Sequence, residues 1–529
     1  MKRLSRRQVI GGAAVTAAAM ALNVPSVHAQ KRGQTVRFAA HADLKILDPV
    51  WTTAYITRNH GYLVYDTLFG TDENLRIKPQ MVDHFTVSPD GLKYTFALRD
   101  GLRWHDGPAV RSEDCVESLK RWGRKDRFGG LLLAQTNKIM PVDAKTFTLE
   151  VGEKFPVLDA LGSAARPAFM MPARIAATSP DEQIKEIVGS GPFMFIQHDW
   201  DPGNQAVYLR NPGYVSRHEA PSGSTGGKKA YLDKVIWRYA PNPDSAAEAL
   251  AAGEIDWWEQ PPLSFIPKIT QNPALRTFIP DPLGTQGWLR PNHLHPPFNN
   301  KKARQALLYM MDQITYLSLA IGPPEYYHPC YSVFACKGPY ATRAGAEPLI
   351  KPDAANARQL VKESGYDGRP VVVVQIIDLT FLNYAAIVTH RRLESIGFNV
   401  ELKPMDWSTN LVVRNRKEPP DKGGWNLIHT WWTGADVISP AVHFGLSPGG
   451  PAAWYGWHDV PLLEKLIATW LRATDQPKRK QIADDIQKLA LDEVLYVPWG
   501  EWDTPTAFRR SVQGILKFTA PLFWNVRIA

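Results

Sequence analysis

The run VVVVQII at residues 371–377 decides the fold class of the chain. Its unbroken β-branched residues are typical of a strand buried on both faces, as in parallel sheets. A helical pattern then ends at Gly397, a strand follows at 398–404, and a helix capped by Asp406 leads to a third strand at 425–431. Connections of this length favour parallel pairing of the strands. The sequence therefore predicts an α/β fold.

Three carboxylates directly follow these strands. Asp378 comes after the first strand, Asp406 after the second and Asp436 shortly after the third. Because the carboxyl ends of parallel strands meet at one edge of a sheet, where ligands bind, we expect these acids at one rim. Asp406 is fully explained as a helix cap. We therefore expect Asp378 or Asp436, or both, to face a binding cleft beside Trp431 and Trp432.

The length of the chain predicts more than one domain, because 529 residues are too many for a single core. Between residues 85 and 104, alternating segments separated by Asp-Gly pairs predict β-hairpins. A helix is predicted from about Ser112, with two acids in its first turn. The block at roughly 73–185 is therefore predicted to be a small α+β unit.

The first 29 residues are predicted to be a twin-arginine signal peptide. Arg6 and Arg7 precede an apolar run of about 16 residues, which is short of the roughly 20 needed to span a bilayer. Small residues precede a cleavage point after Ala29, and no cysteine is present there to carry a lipid. We therefore expect the mature chain to begin at Gln30 and to be located in the periplasm.

The charge pattern argues against a nucleic-acid partner. The formal net charge is +9, and four of the basic residues lie in the predicted signal segment, which leaves +5. The remaining basic residues are scattered and form no stripe interleaved with aromatic residues.

Of the three cysteines, Cys330 and Cys336 could close a small loop in an oxidising compartment, and Cys115 is expected to be buried.

Catalytic and metal motifs are weak in this sequence. GLSPG at 445–449 matches the G-x-S-x-G nucleophile pattern, but Pro448 has no N–H to donate to an oxyanion after Ser447. His293 and His295 are two residues apart, so on a strand they would share one face and could both bind a metal. No further ligand is evident nearby, although zinc usually takes four. The sequence predicts no catalytic residue, no metal site and no cofactor.

Eight stretches, in this order and over most of the chain, give it a recognisable pattern. They are LDPVWTT (47–53), VYDTLF (64–69), VSPDGLKYTFALRDGLRWHDG (87–107), SEDCVESLKRW (112–122), VGSGPFMF (188–195), AAGEID (251–256), PPFNNKKARQALLYMMD (296–312) and LVKESGY (360–366). In these stretches the chain resembles the periplasmic solute-binding proteins of ABC importers for peptides, nickel and opines, known as family 5. The third stretch is the most specific of the eight.

The resemblance implies two hinged α/β lobes with mixed sheets and an extra inserted α+β domain. The expected borders are 1–29 for the signal peptide, 30–72 with 186–285 and 498–529 for lobe I, 73–185 for the insert, and 286–497 for lobe II. It also implies a carrier, not an enzyme, that traps a solute between the lobes and docks on an ABC permease in the inner membrane. We expect a monomer.

The resemblance also assigns roles to residues. In the dipeptide binders of the family, an acid in the loop corresponding to Asp436 pairs with the ligand ammonium. Those binders place an arginine for the ligand carboxylate where this chain has Asp378. The departure favours a cationic or carboxylate-masked ligand, including an aromatic or cyclic one. The other expected ligand-binding residues are Trp431, Trp432 and Thr433 from one lobe and Trp51, Tyr55, Trp257 and Trp258 from the other.

The identity of the ligand stays open at this level. Peptides, opines, oligosaccharides, metal chelates and other small solutes, cationic or aromatic, all remain candidates. The alternative function is an exported hydrolase on a similar scaffold, with Ser447 as the residue to test.

Overall fold

The structure is a computed structural model that describes residues 33–447, 449–450 and 453–529. The predicted signal peptide, 1–29, lies outside the described residues. Within the described ranges, no helix combines the length and the apolar character that crossing a membrane requires.

The strands are numbered along the chain. They are β1 (Thr35–Ala40), β2 (Asp66–Thr67), β3 (Phe69–Thr71), β4 (Ile77–Pro79), β5 (Val82–Val87), β6 (Lys93–Leu98), β7 (Thr136–Pro141), β8 (Thr146–Val151), β9 (Phe169–Met170), β10 (Phe193–Phe195), β11 (Gln205–Arg210), β12 (Lys234–Tyr239), β13 (Trp257–Trp258), β14 (Leu275–Phe278), β15 (Thr285–Pro291), β16 (Tyr327–His328), β17 (Val371–Ile376), β18 (Val400–Met405), β19 (Leu427–Thr433), β20 (Val497–Trp502), β21 (Thr506–Arg509), β22 (Val512–Gln513) and β23 (Arg527–Ile528).

The helices are numbered in the same way. They are α1 (Tyr55–Val64), α2 (Ser112–Gly123), α3 (Arg127–Gln135), α4 (Val157–Leu161), α5 (Ala173–Ala176), α6 (Pro243–Ala252), α7 (Ile266–Gln271), α8 (Lys301–Met310), α9 (Gln313–Ala320), α10 (Glu347–Ile350), α11 (Ala354–Glu363), α12 (Thr380–Ser395), α13 (Trp407–Val413), α14 (Pro461–Arg472) and α15 (Gln476–Asp492).

A seven-stranded sheet, in the order β10-β11-β12-β1-β13-β21-β14, forms the first lobe, which we call lobe I. At its centre β1 runs parallel to β12 and β13, so the carboxyl ends of these three strands share one edge. Phe38 on β1 lies in the core, where its ring packs edge-on against Trp257 and Phe523, with ring centroids 5.0 Å apart in both pairs.

A six-stranded sheet, in the order β16-β20-β15-β19-β17-β18, forms the second lobe, lobe II. The pairing of β17 with β18 and with β19 is parallel, which confirms the prediction made from VVVVQII. The pairings of β15 with β19 and β20 are antiparallel, so the sheet is mixed. Asp406 caps α13 as expected, since its carboxylate accepts the backbone N–H of Thr409 at 2.9 Å.

A third sheet has four strands, and its residues come between β1 and β10 of lobe I in the sequence. Its order is β5-β6-β8-β7 and all its pairings are antiparallel. The predicted hairpin at Asp90-Gly91 joins β5 to β6, and Gly91 adopts the positive φ of 77° that the turn requires. Helices α2 and α3 belong to the same stretch of chain, in agreement with an α+β unit.

Two short segments carry the chain between the lobes. Residues 279–284 lead from β14 in lobe I to β15 in lobe II, and residues 503–505 lead back from β20 to β21. The border predicted at 497/498 falls inside β20, which pairs over its length with β15 and so belongs to lobe II. The other predicted domain borders stay predictions.

Cys330 and Cys336 form a disulfide, with Cα atoms 5.9 Å apart, and Cys115 is a buried free thiol.

Candidate functional site

A cavity of about 560 Å³ lies between the two lobes. This volume is within the range of about 300–1,000 Å³ that small-molecule sites occupy. Its walls include residues at or beyond the carboxyl ends of β1, β12 and β13 in lobe I and of β17 and β19 in lobe II, together with residues of α1 and of the segment 318–323. The polar and aromatic side chains in these walls include His41, Tyr55, Arg58, Asn59, Tyr239, Trp258, Glu259, Asp378, Phe381, Tyr384, Trp431, Thr433 and Trp502.

Asp378 lies in the lobe II wall, two residues after the last residue of β17. It is half-buried, and one of its carboxylate oxygens accepts the backbone N–H of Trp407 at 2.8 Å. Among the described residues it takes part in no ion pair within 4.0 Å. Burial raises the pKa of this carboxyl group, because the charged form loses water and the backbone N–H of Trp407 and the charge of Lys45 offset that loss only in part.

Asp436 has its partners within the chain. It is 1% exposed and lies behind Tyr55, outside the wall of the main cavity. The hydroxyl of Tyr55 donates to its carboxylate at 2.7 Å, and the hydroxyl of Thr433 donates to the same oxygen. A guanidinium nitrogen of Arg58 is 3.9 Å away. Burial raises the pKa of Asp436, and the charge of Arg58 opposes this effect.

Strand alternation decides which tryptophan of each pair reaches the cavity. Trp431 on β19 lines the cavity, whereas Trp432 faces the opposite side of the strand and stacks on Phe444 with ring centroids 5.5 Å apart. Trp258 on β13 lines the cavity, whereas Trp257 is buried in the lobe I core and donates its ring N–H to Thr506 Oγ1 at 2.6 Å.

The first helix supplies site residues that the sequence analysis missed. Tyr55, Arg58 and Asn59 occupy positions i, i+3 and i+4 of α1 and share one face, which lines the cavity. Of these, only Tyr55 was expected. Helical spacing after the predicted Tyr55 was the signal that pointed to the other two.

Glu259, directly after β13, is another residue that the sequence analysis did not single out. One oxygen of its carboxylate is bonded to Nδ1 of the His41 ring at 2.8 Å and accepts the backbone N–H of His41 at 2.9 Å. The other oxygen accepts the side-chain amide of Asn59 at 2.9 Å. All three groups line the cavity, and Glu259 is already well paired inside the protein. It therefore contributes less open charge to the site than Asp378 does.

Among the described residues, no general base contacts the hydroxyl of Ser447. It is buried, and its hydroxyl accepts the backbone N–H of Trp454 at 2.8 Å. Neither a histidine nor a carboxylate is bonded to that hydroxyl, and Ser447 does not line the main cavity.

Comparison with known proteins fits this geometry. Residues 76–447 match the family of bacterial extracellular solute-binding proteins, family 5 middle domain. The chain belongs to this family. As a family 5 solute-binding protein it serves an ABC importer, which confirms the predicted class of function.

Curated relatives of this family 5 protein are named as binding proteins. A probable peptide ABC transporter periplasmic-binding protein, y4tO of Sinorhizobium fredii, is 37% identical over 534 residues, covering 99% of this chain and all of the relative. The glutathione-binding protein GsiB of Pectobacterium atrosepticum is 24% identical, with 83% of each chain covered.

Solved structures confirm the predicted two-lobed fold. A dipeptide-binding protein of Pseudoalteromonas sp. SM9913 in complex with Met-Leu superposes with a TM-score of 0.80 at 19% identity, covering 94% of this chain and 100% of the other. AgaA of A. tumefaciens R10 in complex with agropinic acid gives a TM-score of 0.78 at 21% identity, covering 94% and 99%.

The cavity of this family 5 protein brings together some of the expected ligand-binding residues and leaves others out. Those that line it are Tyr55, Trp258, Asp378, Trp431 and Thr433. Those that do not are Trp51, which is 37% exposed, and the buried Trp257, Trp432 and Asp436. The ligand-binding role of each residue stays a prediction, and for Asp436 the structure offers an internal role instead.

Proposed function

We propose that this family 5 protein captures a small peptide-like solute bearing a cationic group, between its two lobes, and delivers it to an ABC permease in the inner membrane. We further propose that it works as a monomeric carrier and not as an enzyme, after export to the periplasm by its twin-arginine segment. Finding the protein in the cytoplasmic fraction of cells that export other twin-arginine proteins would contradict the proposed location.

The observation that carries the proposal is Asp378, a carboxylate in the cavity wall with one backbone N–H as its only described hydrogen-bond partner. Closure of the lobes around a solute removes water, and a carboxylate without a partner is then costly. A ligand ammonium or guanidinium offsets that cost. The charge at Asp378 therefore selects the solute as well as binding it.

The aromatic wall supports a solute of mixed character. Trp431 packs against Phe381 and Trp407, with ring centroids 5.2 Å and 4.8 Å away, so its ring is held in place. Trp258 and Trp502 face the same space. A cation over such a ring gains about 0.5–2 kcal/mol. The names of the relatives, a peptide transporter protein and a dipeptide-binding protein, favour a peptide-like solute.

The test compares two mixtures of tripeptides with neutral side chains, one with free amino groups and one acetylated at the amino end. Purified protein should be stabilised by the free mixture, by about 2.7 kcal/mol at a hundred times Kd, and not by the acetylated one. Asp378→Asn should weaken binding of the free mixture by about 2–5 kcal/mol, measured by calorimetry.

Asp83→Asn is the matched control, because Asp83 is an exposed acid on β5 outside the cavity wall, and it should bind like the wild type. Equal binding of both mixtures, or full affinity in Asp378→Asn, would overturn the proposal. Hydrolysis of the peptides during the titration that Ser447→Ala abolishes would overturn the carrier assignment.

A further inference from the structure

Glu501 on β20 is a buried carboxylate that no lysine or arginine of the described residues balances. Its side chain is 1% exposed, and the described residues offer it one ion-pair partner within 4.0 Å, which is His328 at 3.1 Å. The same carboxylate accepts the backbone N–H of Cys336 at 2.9 Å and the side-chain amide of Gln286 at 3.2 Å. A buried negative charge is costly without a charged partner, so this position favours a cation.

The sulfur atoms of Cys330 and Cys336 lie beside this carboxylate. Both sulfurs and a carboxylate oxygen of Glu501 are all within 4.8 Å of one another. Cys330 is fully buried and Cys336 is partly buried. Zinc in a tetrahedral site has Zn–S bonds of about 2.3 Å and so holds two sulfurs about 3.8 Å apart. Once the S–S bond is broken, these three groups are therefore close enough to bind one metal ion.

His328 provides a fourth ligand of a type that zinc binds. It is the register partner of Glu501 in the antiparallel pairing of β16 with β20, which places its ring nitrogen on the second carboxylate oxygen. Its side chain is 35% exposed, so an ion can reach the site from this side. Two thiolates, an imidazole and a carboxylate together are a ligand set that favours zinc over magnesium or calcium.

The two cysteines are held in place by contacts other than the disulfide. The backbone N–H of Cys330 donates to the side-chain oxygen of Gln313, and its carbonyl oxygen accepts the side-chain amide of Gln313, both at 2.7 Å. The backbone of Cys336 is bonded to Glu501, as described above. The loop that the disulfide closes is also short, since the cysteines are six positions apart. Reduction therefore costs little chain entropy, and we expect the site to keep its shape.

We propose that the dithiol form of this protein binds one zinc-like divalent ion through Cys330, Cys336, Glu501 and His328. Two metal–sulfur bonds form as the thiols lose their protons to solvent. The disulfide uses the same two sulfurs, so metal and disulfide exclude each other. The dithiol form belongs to the time before the proposed export, because thiols are kept reduced in the cytoplasm.

The test titrates Co²⁺ into full-length protein that has been reduced with a phosphine and freed of it. The phosphine converts the disulfide and a water molecule into two thiols and a phosphine oxide. Thiolate–Co²⁺ bonds give a charge-transfer absorption in the near ultraviolet, and we expect it to saturate at about one equivalent with the intensity of two thiolates. Zn²⁺ should displace the Co²⁺ and abolish the absorption. The oxidised protein should not give it.

Cys330→Ser, Glu501→Gln and His328→Ala should each weaken Co²⁺ binding by at least about tenfold, because each removes a ligand. The matched controls are Cys115→Ala and Glu254→Gln. Cys115 is the remaining thiol and Glu254 is an exposed acid, so both variants should bind Co²⁺ like the wild type.

The site is overturned if the reduced wild type gives no such absorption, if the oxidised protein gives it equally, or if Glu501→Gln keeps full affinity. Full affinity in His328→Ala overturns the assignment of His328. Should Glu501→Gln not fold, the intensity in Cys115→Ala decides, and an intensity of one thiolate or none overturns the site. Peptide binding is measured on the oxidised protein, so failure of the metal site leaves the proposed function standing.

Discussion

Asp281 lies in the segment 279–284, one of the two that join the lobes. One of its carboxylate oxygens accepts the backbone N–H of Leu283 at 3.0 Å, and the other is buried and has no hydrogen-bond partner among the described residues. Burial raises the pKa of this carboxyl group to about 6. A carboxyl group with a raised pKa binds its proton more readily in the folded chain than in the unfolded one, so protonation favours the folded state.

We therefore expect the contribution of Asp281 to the free energy of unfolding to fall as the pH rises from about 4 to 6, and the cost of the charged Asp281 to be fully present above pH 6. Asp281→Asn should remove this cost and stabilise the protein by about 1–3 kcal/mol at pH 7.5, with little gain at pH 4.5. Urea unfolding at the two pH values measures the difference. An equal gain at both pH values would contradict the titration of Asp281, and Asp83→Asn should change neither.

Single residues also show how far the sequence predicts the site. Asp378 and Asp436 both follow strands of lobe II, and the sequence gives no means of telling them apart. Their environments differ because Tyr55 comes from a helix 381 positions before Asp436 in the chain. Arg58 was missed although it follows Tyr55 by about one helical turn, because no helix was predicted from Tyr55 onwards.

Among the elements, the pair β15 and β20 is closely packed around one glycine. The register shifts between Gly287 and Trp288, so that β20 has one extra residue, Trp499, at this point. The indole of Trp499 lies across Gly287, where a Cβ would be 2.0 Å from Trp499 Cε2. Trp499 is fully buried, so it has no free space into which to move.

Gly287→Ala should therefore destabilise lobe II by about 1–3 kcal/mol, because the strand or the indole of Trp499 must shift. Chemical unfolding followed by tryptophan fluorescence measures the loss. Gly213→Ala is the control, since an added Cβ there would meet only the side-chain oxygen of Asn211, at 3.5 Å. If Gly287→Ala were as stable as the wild type, the indole of Trp499 or strand β20 would be able to move without loss of stability, and the prediction would be wrong.

The parallel part of lobe II was the easiest element set to predict. The β-branched run at 371–377 appears as β17, and the strand expected at 425–431 appears as β19, shifted by two residues to Leu427–Thr433. The shift matters, because it places Thr433 on the strand and on the cavity face with Trp431. Strand β20 was cut in two by the predicted border, since VPWGEW lacks the alternation that marks a strand with one exposed face.

At the scale of the whole molecule, the lobes meet through Tyr55. Its hydroxyl, from lobe I, donates to Asp436 at 2.7 Å and accepts the backbone N–H of Thr433 at 2.8 Å, both in lobe II. A further contact joins Arg414 in lobe II to the Thr53 hydroxyl in lobe I at 3.2 Å. Among the described residues, the chain passes between the lobes at 279–284 and 503–505. The inserted unit adds an ion pair from Glu153 to Arg472 in lobe II at 3.0 Å, so the contacts of Tyr55 and Thr53 are part of what holds the lobes together.

Tyr55→Phe should shift the protein without ligand towards an open form, because a buried carboxylate and a buried N–H each lose a partner, at a cost of about 1–3 kcal/mol. Small-angle X-ray scattering should show a larger radius of gyration than for the wild type. Tyr384→Phe is the control, since Tyr384 lines the same cavity but its hydroxyl has no hydrogen bond in the described residues. An unchanged radius in Tyr55→Phe would mean that other contacts hold the lobes together.

The ring of Tyr55 borders the main cavity and two small ones, of about 10 and 20 Å³, on its other sides. The phenol ring of Tyr55 therefore separates the main cavity from these two small cavities, each of which has room for about one water molecule. We expect a solute longer than the main cavity to bind only if Tyr55 moves and the solute replaces the two hydrogen bonds of its hydroxyl.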